Sequence, residues 1–385
     1  MARPAIPSAL VLGDIELVRP LALAGIPCAM VCAPNDSARF SRHASYVGSW
    51  AVNDSLNDLL ALLESWADRQ SLQPVLFYQW DAHLHFVSEF RGQLAERFRF
   101  VIDAVDHVER SLDKQRFQEF ACDLGLPVPP SETIEPTRGI PSLSIDFPLM
   151  LKPRDRIDDR WFAAMGHAKA TRVDRADDLA NLWPNLSQHN IAVIAQRLIP
   201  GPESRIESYH VYVDEAGEVI GEFTGRKVRT YPVSYGATTA LVTTNARDVA
   251  ELGREIVRKT GLRGVAKLDF KRDVDGTLFL LEINPRFNLW HHVGAKAGVN
   301  IPELVYRDLC GLPRLPRRTA EANVAWCSPS DALAVEHRPI ALLRWARWVS
   351  RCQAKGLWSF EDPLPFVAAL LQRLGTAARA RIATR

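Results

Sequence analysis

Apolar and polar positions change their period along the chain, and the changes divide it. In the first hundred residues short apolar runs alternate with stretches of helical period. Residues 9–12, 28–32, 75–78 and 100–103 read as strands, with helices near 15–24, 54–68 and 83–98 between them. That order predicts a parallel βαβ sheet. Residues 111–125 place Phe117, Phe120, Ala121 and Leu124 at helical spacing, with Ser111 as the expected cap and Gly125 behind them. Three further apolar runs follow, at 148–153, 191–201 and 221–232. The clearest pattern is a hairpin: Gly264 to Lys271, a tight turn from Asp273 to Gly276, and a second run from Thr277 to Arg286.

The hairpin carries the candidate chemistry. Alternation along it puts Asp269, Glu282 and Asn284 where their oxygens converge. An acid beside a hairpin turn is ordinarily a solvated end, but Glu282 stands inside the apolar run 278–283, where an unpaired carboxylate is costly to bury. Hard divalent cations take oxygen ligands, and one or two carboxylates with phosphate oxygens complete a magnesium octahedron. Asn284-Pro285-Arg286 adds a second oxygen ligand, a rigid turn and a cation suited to bidentate contact with phosphate or carboxylate.

This stretch resembles the metal-binding end of the ATP-grasp superfamily, and the earlier runs fall where that family builds its nucleotide site. The resemblance implies an α/β (α+β ATP-grasp) fold: an N-terminal parallel βαβ domain over 1–105, a two-lobed ATP-grasp domain over 106–312 and a basic, helical extension over 313–385. It implies ATP and Mg2+, with Mn2+ as an alternative ion on Asp269, Glu282 and Asn284. Lys114, Lys152 and Lys227 take the places of phosphate-binding lysines, Gln196-Arg197-Leu198-Ile199 that of the hinge whose backbone reads adenine, and Glu203 that of the ribose-binding acid. Arg286, Lys227 and Arg229 are the expected catalytic cations, with Arg226 and Arg229 either facing away from Lys227 or joining it at a bulge. Lys271 is expected to be a nearby exposed lysine.

Two departures stand out. The phosphate-covering flap of many relatives is glycine- and serine-rich, whereas residues 154–169 here are charged and bulky with Gly166 alone; Arg154, Arg156, Arg160 and above all Lys169 are expected to share its work. Arg197 replaces the glutamate common beside the adenine. The chain looks most like carboxylate-amine ligases related to D-aspartate ligase and the large subunit of carbamoyl-phosphate synthase. The implied partners are a small-molecule carboxylate and an amine, joined through an acylphosphate. A phosphoryl-transfer enzyme and a non-catalytic nucleotide-binding module are the alternatives. Asn288 to His292 is the specificity candidate.

Composition narrows the classes further. At 385 residues, 47% hydrophobic and net charge +2, the chain suits a soluble enzyme of two or three domains. Gly-x-Gly-x-x-Gly is absent after the first strand, which argues against a dinucleotide-binding dehydrogenase. The six cysteines have no zinc-like spacing, and no signal core or span of about twenty apolar residues occurs, so a cytoplasmic protein with reduced thiols is expected. Residues 311–385 carry twelve Lys and Arg against five Asp and Glu, but without a nucleic-acid motif. The helical patterns there ordinarily pack on their own domain. Trp345 and Trp348 beside Arg344 and Arg347 are also the chemistry of a membrane interface, so weak peripheral membrane contact through the tail is the alternative. The oligomeric state is not legible.

Overall fold

The computed structural model describes residues 6–136, 139–140, 142–154, 159–165, 170–336 and 338–383. The first apolar runs form β1 (Ala9–Leu12), β2 (Cys28–Cys32), β3 (Ala44–Ser49) and β4 (Val75–Tyr78), all parallel in the order β3-β2-β1-β4. Helices α1 (Ile15–Leu23), α2 (Leu56–Ala67), α3 (Asp81–Glu89) and α4 (Arg91–Arg97) surround them. Val11, Met30 and Phe77 enter one core, while Leu10, Leu12 and Leu76 enter another with Leu59, Leu63 and Phe86. Both faces of the sheet are thus buried, as parallel sheets require.

Three expectations change here. The helix expected over 83–98 is two helices that meet at Phe90. Residues 100–103 form no strand; a single bridge joins Arg99 to Val75, and the Asp103 carboxylate accepts from the amides of Ala104 and Arg263 as the chain enters α5 (Val105–Leu112). The cap of α6 (Lys114–Asp123) is Asp113, which accepts from the amides of Gln115 and Arg116, while Ser111 lies in α5.

Two lobes follow. The smaller contains β5 (Ser131–Ile134), β6 (Leu149–Pro153), α7 (Asp159–Met165), β7 (Thr171–Val173), α8 (Ala176–Gln188) and β8 (Val193–Arg197), its antiparallel sheet ordered β5-β8-β6-β7 over Leu149, Leu151, Trp161, Trp183 and Val193. The larger is built on β9 (Ile206–Val213), β10 (Val219–Tyr231), β11 (Ala237–Thr244), α9 (Arg247–Thr260), β12 (Gly264–Arg272) and β13 (Leu278–Asn284), followed by α10 (Trp290–Lys296) and α11 (Ile301–Leu309). Helix α9 buries Val249, Gly253, Ile256, Val257 and Thr260, a stripe of helical period, and ends at Gly261 in the left-handed region.

The extension expected to be helical also donates strands. β14 (Ala325–Cys327) and β15 (Ala354–Lys355) complete a seven-stranded sheet ordered β13-β12-β9-β10-β11-β14-β15, with α12 (Pro339–Arg351) between them and α13 (Leu364–Ala383) last. Arg19 of α1 donates to the carbonyls of Lys355, Gly356 and Leu357, and buried Asp362 accepts from the Ser41 hydroxyl and the Arg42 amide. The extension is therefore fastened to the N-terminal domain. Trp345 donates its indole N–H to Asp331, and the Arg229 guanidinium lies 4.3 Å from the centroid of the Trp348 ring. Both tryptophans are half-buried and make these contacts within the chain.

Candidate active site

The two lobes close on a cleft of about 360 Å3. Its floor is the β12–β13 hairpin. Along β12, Ala266, Leu268 and Phe270 enter the core beneath α9, so Lys267, Asp269 and Lys271 face the other way. On β13, Leu278 and Leu280 enter that same core, and strict alternation would send Glu282 and Asn284 after them. They face the cleft instead, because the register shifts between Asp269–Glu282 and Phe270–Leu280 and leaves Leu281 unpaired. The bulge reverses the phase of the strand and re-aims both polar side chains.

Asp269 and Glu282 are direct cross-strand partners, and the Asn284 amide donates to Glu282 Oε1 at 3.0 Å. Buried Asp269 accepts from the Ser208 hydroxyl and lies 2.7 Å from Lys267 Nζ. Among the described residues no three His, Cys, Asp or Glu side chains gather into a metal-binding group. The donor set here is two acids and an amide, which suits a hard cation completed by ligand oxygens, and the Lys267 ammonium already occupies the position of a positive charge on Asp269. Burial pushes the Lys267 pKa down while the Asp269 carboxylate opposes that shift.

Lys114, Lys152, Lys227, Glu203 and Arg286 all line the cleft with the hairpin acids, as do Gln196, Arg197, Leu198 and Ile199. Lys152 donates to Gln196 Oε1 at 2.8 Å, and Lys114 to the Pro153 carbonyl at 2.7 Å. Phe117, Met150, Ile194 and Leu281 supply apolar surface. The expected hinge differs in detail: the Arg197 amide donates to the Pro130 carbonyl and the Leu198 amide to that of Pro148, so neither is offered to a base in this conformation. The Arg197 guanidinium stacks 4.9 Å from the Phe279 ring centroid.

Several expectations are corrected. Arg229 does not line the cleft; past a bulge at Lys227 its guanidinium grips the buried carboxylate of Asp331, 2.9 Å from Nε to Oδ1. Lys271 is not an exposed lysine. It is buried in the cleft wall 4.0 Å from Glu203, and desolvation lowers its pKa. Arg154 binds Glu135 and Arg160 binds the Asn190 carbonyl, and neither lines the cleft. Lys169, Arg156 and Gly166 lie outside the described residues. Arg286 is engaged from the N-terminal domain, with Nε 2.6 Å from Asp81 and a bond to the Gln79 carbonyl at 2.9 Å.

Sequence reasoning missed Lys267, Ser208 and Asp81. The first was within reach, since Lys267 lies two residues before Asp269 and so shares its face. Ser208 and Asp81 become neighbours of the site only through strand order and domain packing. His291 and His292, expected at the surface or lining a pocket, are both buried; His292, with Nδ1 2.9 Å from Glu16, lines a second cavity with Lys296 and Lys355, while His291 packs against Phe287 and His210.

A family model described as "ATP-grasp in the biosynthetic pathway with Ter operon" matches residues 194–329, which run from within β8 through the hairpin and β14. Biotin carboxylase from Campylobacter jejuni, solved as a β-γ-ATP complex, superposes with a TM-score of 0.63 at 16% identity over 83% of this chain and 74% of that one. The fold is ATP-grasp. Among curated proteins, the chain is 27% identical over 213 residues to a D-alanine–D-alanine ligase from Halorhodospira halophila, covering 51% of the chain and 66% of the relative. It is 22% identical over 265 residues to a D-aspartate ligase from Enterococcus faecium, covering 66% of the chain and 62% of the relative. The chain thus spans just under two thirds of the length of these relatives.

Proposed function

We propose that the chain is an ATP-dependent ligase that activates a carboxylate as an acylphosphate and couples it to an amine. The observation that carries this reading is the facing pair Asp269 and Glu282, joined by Asn284, on the floor of a cleft whose walls carry Lys114, Lys152 and Lys227. The two relatives named as amino-acid ligases support the same class. A module that only bound nucleotide would not need two carboxylates aimed at one point.

In this reading Asp269, Glu282 and Asn284 hold magnesium, which supplies charge neutralisation at the triphosphate. Lys114, Lys152 and Lys227 neutralise the remaining phosphate charge, with Lys169 assigned beside them on the family resemblance alone. The base lies on the apolar surface near Met150 and Ile194, and Glu203 reaches the ribose. The γ-phosphoryl group passes to a carboxylate oxygen of the substrate and ADP leaves. The amine nitrogen then attacks the acyl carbon, and phosphate departs with the original carboxylate oxygen. No protein nucleophile is needed; alignment and charge stabilisation do the work. Arg286, fixed by Asp81, is placed for the transferred group or the acceptor carboxylate.

The test is a screen of amino acids, sugar acids and small dicarboxylates for substrate-dependent ADP release, with hydroxylamine present to trap the acyl group as a hydroxamate. Glu282→Gln is expected to lower turnover by a hundredfold or more with the fold intact. Lys152→Ala and Lys227→Ala should impair turnover far more than Lys259→Ala, a surface lysine paired with Glu255. Near-normal turnover by Glu282→Gln, or equal effects of all three lysine changes, contradicts the reading. A phosphorylated product without hydroxamate identifies a phosphoryl-transfer enzyme instead.

A further inference from the structure

The last helix presents an apolar stripe to solvent. On α13, Leu364, Val367, Leu371 and Leu374 recur at spacings of three and four, with Leu370 beside them, and all five are exposed; Leu371 retains 63% and Leu374 59% of its accessible surface. The opposite side of the helix is satisfied. Pro365 is buried, Phe366 packs against Trp358, and Gln372 donates to the Asn35 carbonyl of the N-terminal domain. The exposed stripe is therefore not the docking face of the helix.

Charge decides what such a stripe fits. Residues 363–385 contain four arginines and no Asp or Glu, and Arg373 is exposed among the leucines. A second copy of the helix would bring arginines against arginines, with no acids to pair across the seam as helix dimers use. An interfacial helix gains from both features at once: apolar side chains enter the acyl boundary while cations meet anionic headgroups. Among the described residues no helix is long and apolar enough to cross a membrane, so the contact would be at the surface. We propose that α13 is a docking face for an anionic lipid surface, entered by its leucine stripe and held by the positive charge of Arg373 and of the arginine-rich, acid-free sequence around it. This inference is independent of the reaction assigned to the cleft.

The test is flotation of the full chain with vesicles of phosphatidylcholine alone or mixed with phosphatidylglycerol, at low salt and at about 0.15 M salt, where charges are screened beyond roughly 8 Å. The full chain is expected to float with the mixed vesicles, more weakly as salt rises, and not with phosphatidylcholine alone. Arg373→Gln should weaken binding roughly fivefold, and the double change Leu371→Gln with Leu374→Gln tenfold or more. Because these side chains are exposed, thermal midpoints should be unchanged, which separates lost docking from lost fold. Three results overturn the proposal: no binding to the mixed vesicles at low salt, equal binding to both vesicle types, or a lipid-free dimer that the double leucine change disperses.

Discussion

Lys267 and Asp269 show how much one pair of side chains carries. A lysine buried on the face that holds the hairpin acids would be untenable alone, and its 2.7 Å contact with Asp269 offsets part of the desolvation. The neighbouring histidines have no such partner. His210 and His291 are fully buried, His210 stacks on Phe223 at 4.3 Å, and desolvation pushes the pKa of His291 down to about 3 and that of His210 in the same direction. Unfolding returns both imidazoles to ordinary values near 6.5, so below that pH the unfolded chain binds more protons. Their contribution is intact above pH 6.5 and falls as the pH drops towards 3. At pH 5 the loss from His291 alone is on the order of 2 kcal/mol. Urea unfolding at pH 7 and pH 5 should show this loss, and His291→Gln should flatten the slope by about one proton. An unchanged slope would mean that the ring is solvated.

At the scale of elements, the hairpin was legible because β-rich runs flank an Asp-Gly turn, and the strands end within two residues of the expected limits. What could not be read was the bulge at Leu281. Its signal is geometric: Glu282 stays out of the core only if one residue goes unpaired. β3 escaped notice because Ala44–Ser49 is an edge strand with most of its side chains partly exposed, so it lacks a continuous apolar run. Arg229 was misplaced because its partner Asp331 is distant in sequence and comes close through the pairing of β14 with β11, the neighbour of β10. Gly253 poses a sharper question of element packing. Replacing a mid-helix glycine by alanine ordinarily gains about 1 kcal/mol. Here the added methyl would strike the ring of Tyr209, which is fully buried and tied through its hydroxyl to Glu222 at 2.5 Å. Overpacking of a fixed ring costs about 1–3 kcal/mol, so the clash should win. Gly253→Ala is expected to lower stability by about 1 kcal/mol in denaturant melts; a gain would show that α9 shifts freely.

At the scale of the molecule, three packed units meet at one cleft. The N-terminal domain contributes Asp81 and the Gln79 carbonyl to Arg286, the smaller lobe contributes Lys152 and the hinge, and the larger lobe contributes the hairpin. The cleft lysines, the hinge and the hairpin acids were legible in the sequence, since apolar period and turn chemistry are local. The junctions were hidden because they rest on single polar contacts, such as Arg19 with the carbonyls of residues 355–357 and Asp362 with Ser41. In the proposed reaction a phosphoryl group passes at this junction to a carboxylate and an amine then displaces it. For a carboxylate that supports ADP release, the decisive measurement is the mass of the released phosphate when both carboxylate oxygens are 18O. Acylphosphate chemistry predicts one 18O in the phosphate for each amide formed. Unlabelled phosphate released alongside the coupled product would contradict it.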